Sequence, residues 1–187
     1  MTLRITWLAH GATSATRRAS FPEDEPIEAK AREAAARLRD SLPRADRVLI
    51  APERRTRETA AALGLTGACD PLLRDCDHGR WAGRALAELR AEEPHALAAW
   101  LEDPDAAPHG GESVADVIRR IARWSDSPER GDGPILDVTH PTVIRAALIH
   151  ALGAPASSFR QVDVAPLSRL ILSRHGAHWR VQALSSP

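Results

Sequence analysis

Three times in this chain a short apolar, β-branched run stops abruptly and leads straight into a helix-forming stretch. That repetition restricts the fold more than any other feature. Ile5–Gly11, Ile-Thr-Trp-Leu-Ala-His-Gly, reads as a buried strand ended by a His-Gly turn. Asp46–Ile50 brings Val48, Leu49 and Ile50 together and ends at Ala51-Pro52, ahead of a helix predicted over Glu53–Leu63. Ile135–Thr139 ends at His140-Pro141 and runs into a helix predicted over Thr142–Leu152. Strand-then-helix units favour a parallel sheet with right-handed crossovers, so the three strand ends share one rim. Open α/β sheets bind ligands beyond those carboxyl ends. The rim of this one carries His10, Arg55 and His140.

The stretches between these units supply the walls. Ala12–Glu25 is a polar loop holding Thr13, Ser14, Thr16, Arg17 and Arg18, a composition that suits an anion pocket and equally a solvated loop. Pro26 opens a helix predicted over Ile27–Leu42. Arg54, Arg55 and Arg57 fall in the first turn of their helix, where cations oppose the macrodipole unless an anion also binds there. Leu72–Arg80, with Asp75 and Asp77, is a short strand or extended loop, and helices follow over Arg84–Ala91 and Pro94–Glu102. After the Pro/Gly-rich loop Asp103–Gly111, Ser113 and Asp116 form a capping box for a helix over Val114–Trp124, and Gly110-Gly111-Glu112 signals close backbone approach. Leu167–Ser173 and His178–Leu184 read as a hairpin around Gly176 that closes a sheet edge. The expected architecture is a three-layer α/β/α sandwich with a mostly parallel sheet and a C-terminal β-hairpin at one edge.

At 187 residues, 43% hydrophobic and 27% charged, the chain fits one domain with its own core. Acidic and basic residues balance at 25 each, so no global field draws nucleic acid or an anionic membrane, and neither is an expected partner. An anionic small molecule has to be attracted by a local cluster. All the cations but Lys30 are arginine, the residue suited to bidentate phosphate contacts. Cys69 and Cys76 are the only cysteines, and the N-terminus lacks the basic stretch and long apolar core of a secretory signal, so a reduced cytoplasmic protein is expected. No apolar run approaches the length of a bilayer span, and no Cys/His set, His175 and His178 included, has convincing zinc spacing.

Five pieces then fall in a telling order. They are His10-Gly11 after the first strand, Ala-Pro-x-x-Arg-Thr-x-Glu-Thr-Ala at Ala51–Ala60, Leu-x-Asp-x-x-x-Gly-x-Trp-x-Gly at Leu73–Gly83, Gly-Gly-Glu-Ser at Gly110–Ser113 and Val-Thr-His at Val138–His140. Over nearly its whole length the chain resembles the histidine phosphatase (phosphoglycerate mutase-like) superfamily. The resemblance implies that His10 is the nucleophile that becomes phosphorylated, that Arg55 and His140 hold the phosphoryl group, and that Asp75 is the proton donor. Asp77 is an alternative donor that the spacing favours less. It also implies that no metal or organic cofactor is needed, and it makes Thr13, Thr16, Arg17 and Thr142 the expected phosphate- or substrate-binding residues. The Arg174-His175-Gly176 string lies in the hairpin turn and is read as coincidence.

Elementary chemistry agrees with these roles. A neutral imidazole is a competent nucleophile near neutral pH, and a phospho-histidine divides one hard displacement into two easier ones. A guanidinium grips two phosphate oxygens, a protonated His140 adds charge where the transition state spreads it, and a carboxylic acid with a raised pKa protonates the leaving alkoxide. One departure stands against them. The family signature is Arg-His-Gly, and the arginine position here is Ala9. Losing one such donor costs about 3–4 kcal/mol, a hundred- to a thousandfold in rate, unless Arg17, Arg18 or Arg54 replaces it. Two functions therefore stand: a phosphatase acting on a small phosphate monoester, favoured over a mutase by the short chain, and a repurposed pocket that has lost phosphoryl transfer and serves binding or other acid/base work. In either case Ala12–Glu25 and Gly83–Gly111 shape the ligand.

Overall fold

A computed structural model describes residues 2–186. Its strands are β1 Leu3–Ala9, β2 Arg47–Ile50, β3 Ala68–Cys69, β4 Gly133–Thr139, β5 Arg169–His175 and β6 His178–Ser185. Its helices are α1 Ser14–Arg18, α2 Ala29–Leu38, α3 Arg54–Ala62, α4 Leu86–Glu92, α5 Pro94–Glu102, α6 Val114–Asp126 and α7 Pro141–Leu152. The strands form one sheet in the order β3-β2-β4-β1-β5-β6. The first four in that order run parallel, while β5 is antiparallel to β1 and β6 to β5, so the C-terminal hairpin supplies one edge.

Strand β1 is central because its residues have apolar company on both faces. Ile5, Trp7 and Ala9 pack with Val117, Ile121 and Trp124 of α6 and with Val143, Ile144 and Ala147 of α7. Leu8 faces the other way, into a cluster with Ala35 of α2 and Ala60 of α3. Alternate side chains of one strand thus serve two helical layers. Helix α6 earns its place by pattern, since Val114, Val117, Ile121 and Trp124 make one buried stripe. Its capping box is the expected one: the Ser113 hydroxyl accepts from the Asp116 N–H at 3.1 Å, and the Asp116 carboxylate accepts from the Ser113 N–H at 3.0 Å. Among the described residues no helix is long and apolar enough to cross a membrane.

Several local expectations are corrected. The Ala12–Glu25 loop contains α1, started by a reciprocal cap between Thr13 and Thr16. Helix α2 begins at Ala29 rather than Ile27, because Ile27 bridges to Thr13 and the Glu28 N–H donates to the Ala12 carbonyl at 2.8 Å. It then tightens into a 3-10 turn over Arg39–Ser41. Of the two readings of Leu72–Arg80 the loop holds and the strand does not; its ends are 3-10 turns at Pro71–Leu73 and Gly79–Trp81. The edge strand is instead β3, two residues paired with Leu49 and Ile50.

Candidate active site

The strand ends meet as the repeated pattern requires. One residue past β1, the His10 N–H donates to the Thr139 carbonyl at 2.9 Å, which carries the β1–β4 ladder into both loops. The Gly11 N–H donates to the Thr59 hydroxyl at 3.0 Å, and that hydroxyl donates to the Arg55 carbonyl at 2.7 Å, tying the turn to α3. A side chain at Gly11 would crowd α2, since a Cβ there would lie 3.1 Å from the Ala31 Cβ. His140 occupies the N-cap position of α7 without a side-chain capping bond, which leaves its ring to the site, and Pro141 takes the first helical position.

The imidazoles of His10 and His140 stand edge to face, their centroids 5.2 Å apart. His10 Nδ1 is 2.8 Å from the carbonyl of Gly11, so this nitrogen is assigned the proton and Nε2 keeps its lone pair. Burial, then the charges of His140 and Arg55, push the His10 pKa down to about 3, and the ring is neutral at ordinary pH. Arg55 is 1% exposed. Its Nη2 donates to Asp75 Oδ2 at 2.8 Å and its Nη1 to the Glu23 carbonyl at 2.9 Å, while its Nε is buried without a partner. His140 Nε2 lies 2.7 Å from Glu53 Oε2, and its Nδ1 is 3.4 Å from Asp75 Oδ2 without hydrogen-bond geometry.

Asp75 thus sits among cations, and the requirement that a proton donor have a raised pKa is not met in the resting site. Burial would raise Asp75, but the charges of His140 and Arg55 hold it well below the usual carboxylate range. Glu53 behaves alike: burial opposes its ionisation, and the hydrogen bond and charge of His140 prevail. Two of the cations in the first turn of α3 are therefore balanced from within the protein, Arg55 by Asp75 and Arg54 by Glu58, while Asp24 accepts from the backbone N–H of Arg54 at 2.6 Å.

His10, Asp75, Thr13, Thr16 and Thr142 line one pocket of about 150 Å³, together with Glu25, His78 and Pro141. Arg17 is not among them, which corrects its expected place: its Nε donates to Glu28 Oε1 at 2.9 Å and its side chain is 68% exposed. Arg54 pairs with Glu58 at 2.7 Å and Arg18 is exposed, so none of the three candidate guanidiniums stands in for the missing arginine. Ala9 itself is fully buried in the core. Asp77 faces elsewhere, its Oδ1 accepting from the Gly79 N–H at 2.8 Å.

The loop carrying Asp75 has no strand to hold it, and side chains do so instead. Arg120 donates to the carbonyls of Leu72, Arg74 and Asp75, at 2.6, 3.0 and 3.2 Å. Glu112 in turn accepts from Arg120 at 2.9 Å and from the Asp77 N–H at 3.1 Å. Gly111 makes the expected close approach: a Cβ there would stand 2.0 Å from the Asp77 carbonyl oxygen.

Beside the His10 pocket, and sharing its Thr16, His78, Pro141 and Thr142 walls, a wider cleft of about 560 Å³ opens. Phe21 from the first loop and Leu86 and Trp100 from the Gly83–Gly111 segment line it, as the sequence led us to expect of those two stretches.

Comparison with known proteins then places the chain. Residues 5–187 match the family model described as the histidine phosphatase superfamily, branch 1. The chain belongs to the histidine phosphatase superfamily. Within that superfamily it is 32% identical over 173 residues to a glucosyl-3-phosphoglycerate phosphatase of Mycolicibacterium vanbaalenii, an alignment covering 83% of this chain and 77% of that protein. It is 35% identical over 129 residues, 65% of its length, to a bifunctional protein of Mycobacterium tuberculosis, and spans only 35% of that protein. The native structure of mycobacterial glucosyl-3-phosphoglycerate phosphatase superposes with a TM-score of 0.83 at 26% identity, covering 100% of both chains. Among superfamily signatures, Arg174-His175-Gly176 is not one here: Arg174 pairs with Leu3, at the end of β1 opposite His10.

Sequence reasoning missed two residues of this site, Glu53 and His78. Glu53 is an unspecified position of the Ala51–Ala60 motif, yet it follows a strand end as His10 does, and that position was its available signal. His78 adjoins both cavities and packs on Phe21 with 4.7 Å between centroids.

Proposed function

We propose that this chain is a phosphatase that hydrolyses a small phosphate monoester through a phospho-histidine on His10, the residues of the rim acting as one site. The observation that carries the reading is His10 itself, buried, neutral, and with Nδ1 committed to the Gly11 carbonyl so that Nε2 is free to attack. Arg55 Nε, buried and unpaired, is a donor that a phosphoryl oxygen would satisfy, and so is the buried, unpaired Nδ1 of His140 when the ring carries both protons. The pocket volume suits a phosphoryl group, and the likeness to a named phosphatase over most of both chains supports the reaction class.

Nε2 of His10 attacks phosphorus, and the ester P–O bond breaks as Asp75 protonates the departing alkoxide. Asp75 acquires that proton only with substrate bound: the phosphoryl charge engages Arg55 and His140 and stands beside the carboxylate, and both effects raise its pKa. A monoanionic ester supplies the proton. In the second step water attacks phosphorus as the Asp75 carboxylate takes its proton, the P–N bond breaks to return neutral His10, and Asp75 passes that proton to the departing phosphate, which leaves as the monoanion and restores the resting carboxylate. No step asks for a metal or organic cofactor. The two free cysteines, Cys69 and Cys76, favour a reducing compartment and so the cytoplasm.

Turnover of 4-nitrophenyl phosphate by native protein and by His10→Ala, with acid-labile labelling of the protein, tests the reading. His10→Ala should lose both turnover and label. Hydrolysis indifferent to the substitution, or none between pH 5 and 8 in native protein, would falsify it.

A further inference from the structure

The wide cleft holds two arginines that the chemistry at His10 does not use. Arg145 lies on α7 one turn beyond Thr142, so the two side chains share a helix face, about 5–6 Å apart at Cβ. Thr142 lines both cavities and Arg145 the wider one. Arg145 Nε is buried and has no partner. The one carboxylate within 4 Å of it among the described residues is Asp163, at 3.6 Å, whose side chain is 99% exposed, and such a pair holds little against water. Arg160 reaches the same cleft stacked on Trp100, its guanidinium carbon 3.9 Å from the ring centroid, and no carboxylate lies within 4 Å of it among the described residues. Burial pulls both guanidiniums below the usual arginine range, and Arg145 depresses Arg160 further.

We propose that Arg145, seconded by Arg160, is a specificity-determining subsite for a carboxylate carried on the alcohol part of the phosphate ester. Two guanidiniums against one exposed aspartate leave one positive charge to be answered, which matches a carboxylate better than a second phosphate dianion. The planar fork of Arg145 offers a carboxylate paired donors, and the helical turn between Thr142 and Arg145 sets the spacing from the phosphoryl site. The proposal rests on the phosphatase reading for the site at His10, and it makes the substrate a phosphorylated acid.

The test uses two esters that differ in one group, 3-phosphoglycerate and glycerol 3-phosphate, with 1,3-propanediol bisphosphate as the dianion arm and 4-nitrophenyl phosphate as the reference. Native protein should favour the carboxylate over its hydroxymethyl counterpart in kcat/KM by roughly 10- to 100-fold, the range for a charge-assisted hydrogen bond. Arg145→Gln should bring that ratio toward one, Arg145→Lys should keep part of it, and Arg160→Met should lower it less. A native ratio within about twofold, the same loss on both esters in Arg145→Gln, or a preference for the bisphosphate overturns the subsite while phosphatase activity stands. If no ester is hydrolysed, the phosphatase reading fails, and calorimetric binding of the same pair decides the subsite. Tighter binding of 3-phosphoglycerate that Arg145→Gln abolishes upholds it, and equal binding overturns it.

Discussion

Asp75 in its resting state is an ion-paired carboxylate, and this fixes how its removal should read out. Esters with poor leaving groups need a proton in the transfer to His10, so Asp75→Asn should lower their kcat/KM on the order of 10²–10⁴-fold, whereas kcat/KM for 4-nitrophenyl phosphate, with a stable leaving group, should lose far less. Equal losses on both classes would mean that Asp75 positions Arg55 rather than donating a proton. Ala9 is the complementary case. With Arg17 and Arg54 paired to glutamates and Arg18 in solvent, no guanidinium fills the gap, so Ala9→Arg should raise kcat/KM by roughly 10²–10³-fold. Forcing a long side chain into a fully buried position should lower stability by about 1–3 kcal/mol at the same time. An unchanged kcat/KM would show the donor to be dispensable here. His10, Arg55 and His140 were legible because each stands where a clear strand gives way to a helix. Glu53 was not, because its role depends on the ring of His140, which approaches it only in three dimensions.

At the scale of elements, the regular strands and helices follow from apolar period and caps, while the short pieces do not. β3 has two residues and no period to read; it exists because Leu49 and Ile50 offer an unpaired edge. The Asp75 loop likewise owes its course to Arg120, Glu112 and Gly111, all distant in sequence. Gly111→Ala must therefore push the Asp77 backbone, and Asp75 with it. An error of about 1 Å at a catalytic group costs on the order of 100-fold. The expected result is a leaving-group dependence like that of Asp75→Asn, measured across a series of aryl phosphates, with the thermal midpoint changed only modestly. A uniform loss across the series would place the damage elsewhere.

For the whole molecule, two buried groups tilt stability with pH in opposite directions. The His10 pKa lies below its unfolded value, so its neutral burial costs stability as pH falls from 6.5 toward 3. Asp137 of β4 lies fully buried opposite Trp7 with neither carboxylate oxygen paired; burial first, then the charge of Asp70, raises its pKa well above 3.8. Its folded form keeps a proton that the unfolded chain releases, so stability falls as pH rises from 3.8 toward the raised value. Asp137→Val should stabilise the protein at pH 7 by about 1–4 kcal/mol and leave the His10 slope unopposed, so that the urea midpoint climbs more steeply between pH 4 and 6.5 than in native protein. A loss of stability at pH 7 would show that the carboxyl is paired.

The neighbours of β1 carry a last consequence, for the order in which the chain takes shape. Leu3 pairs with Gly133 on one side and with Arg174 on the other. Strand β1 is thus flanked only by strands that lie far later in the chain. Ile5, Trp7 and Leu8 wait, apolar and open at both edges, through the synthesis of the intervening helices, and their pairing closes very long loops. Folding of this protein is governed by late, distant contacts, and a nascent chain that stalls before Gly133 exposes a strand ready to pair with a neighbouring chain instead.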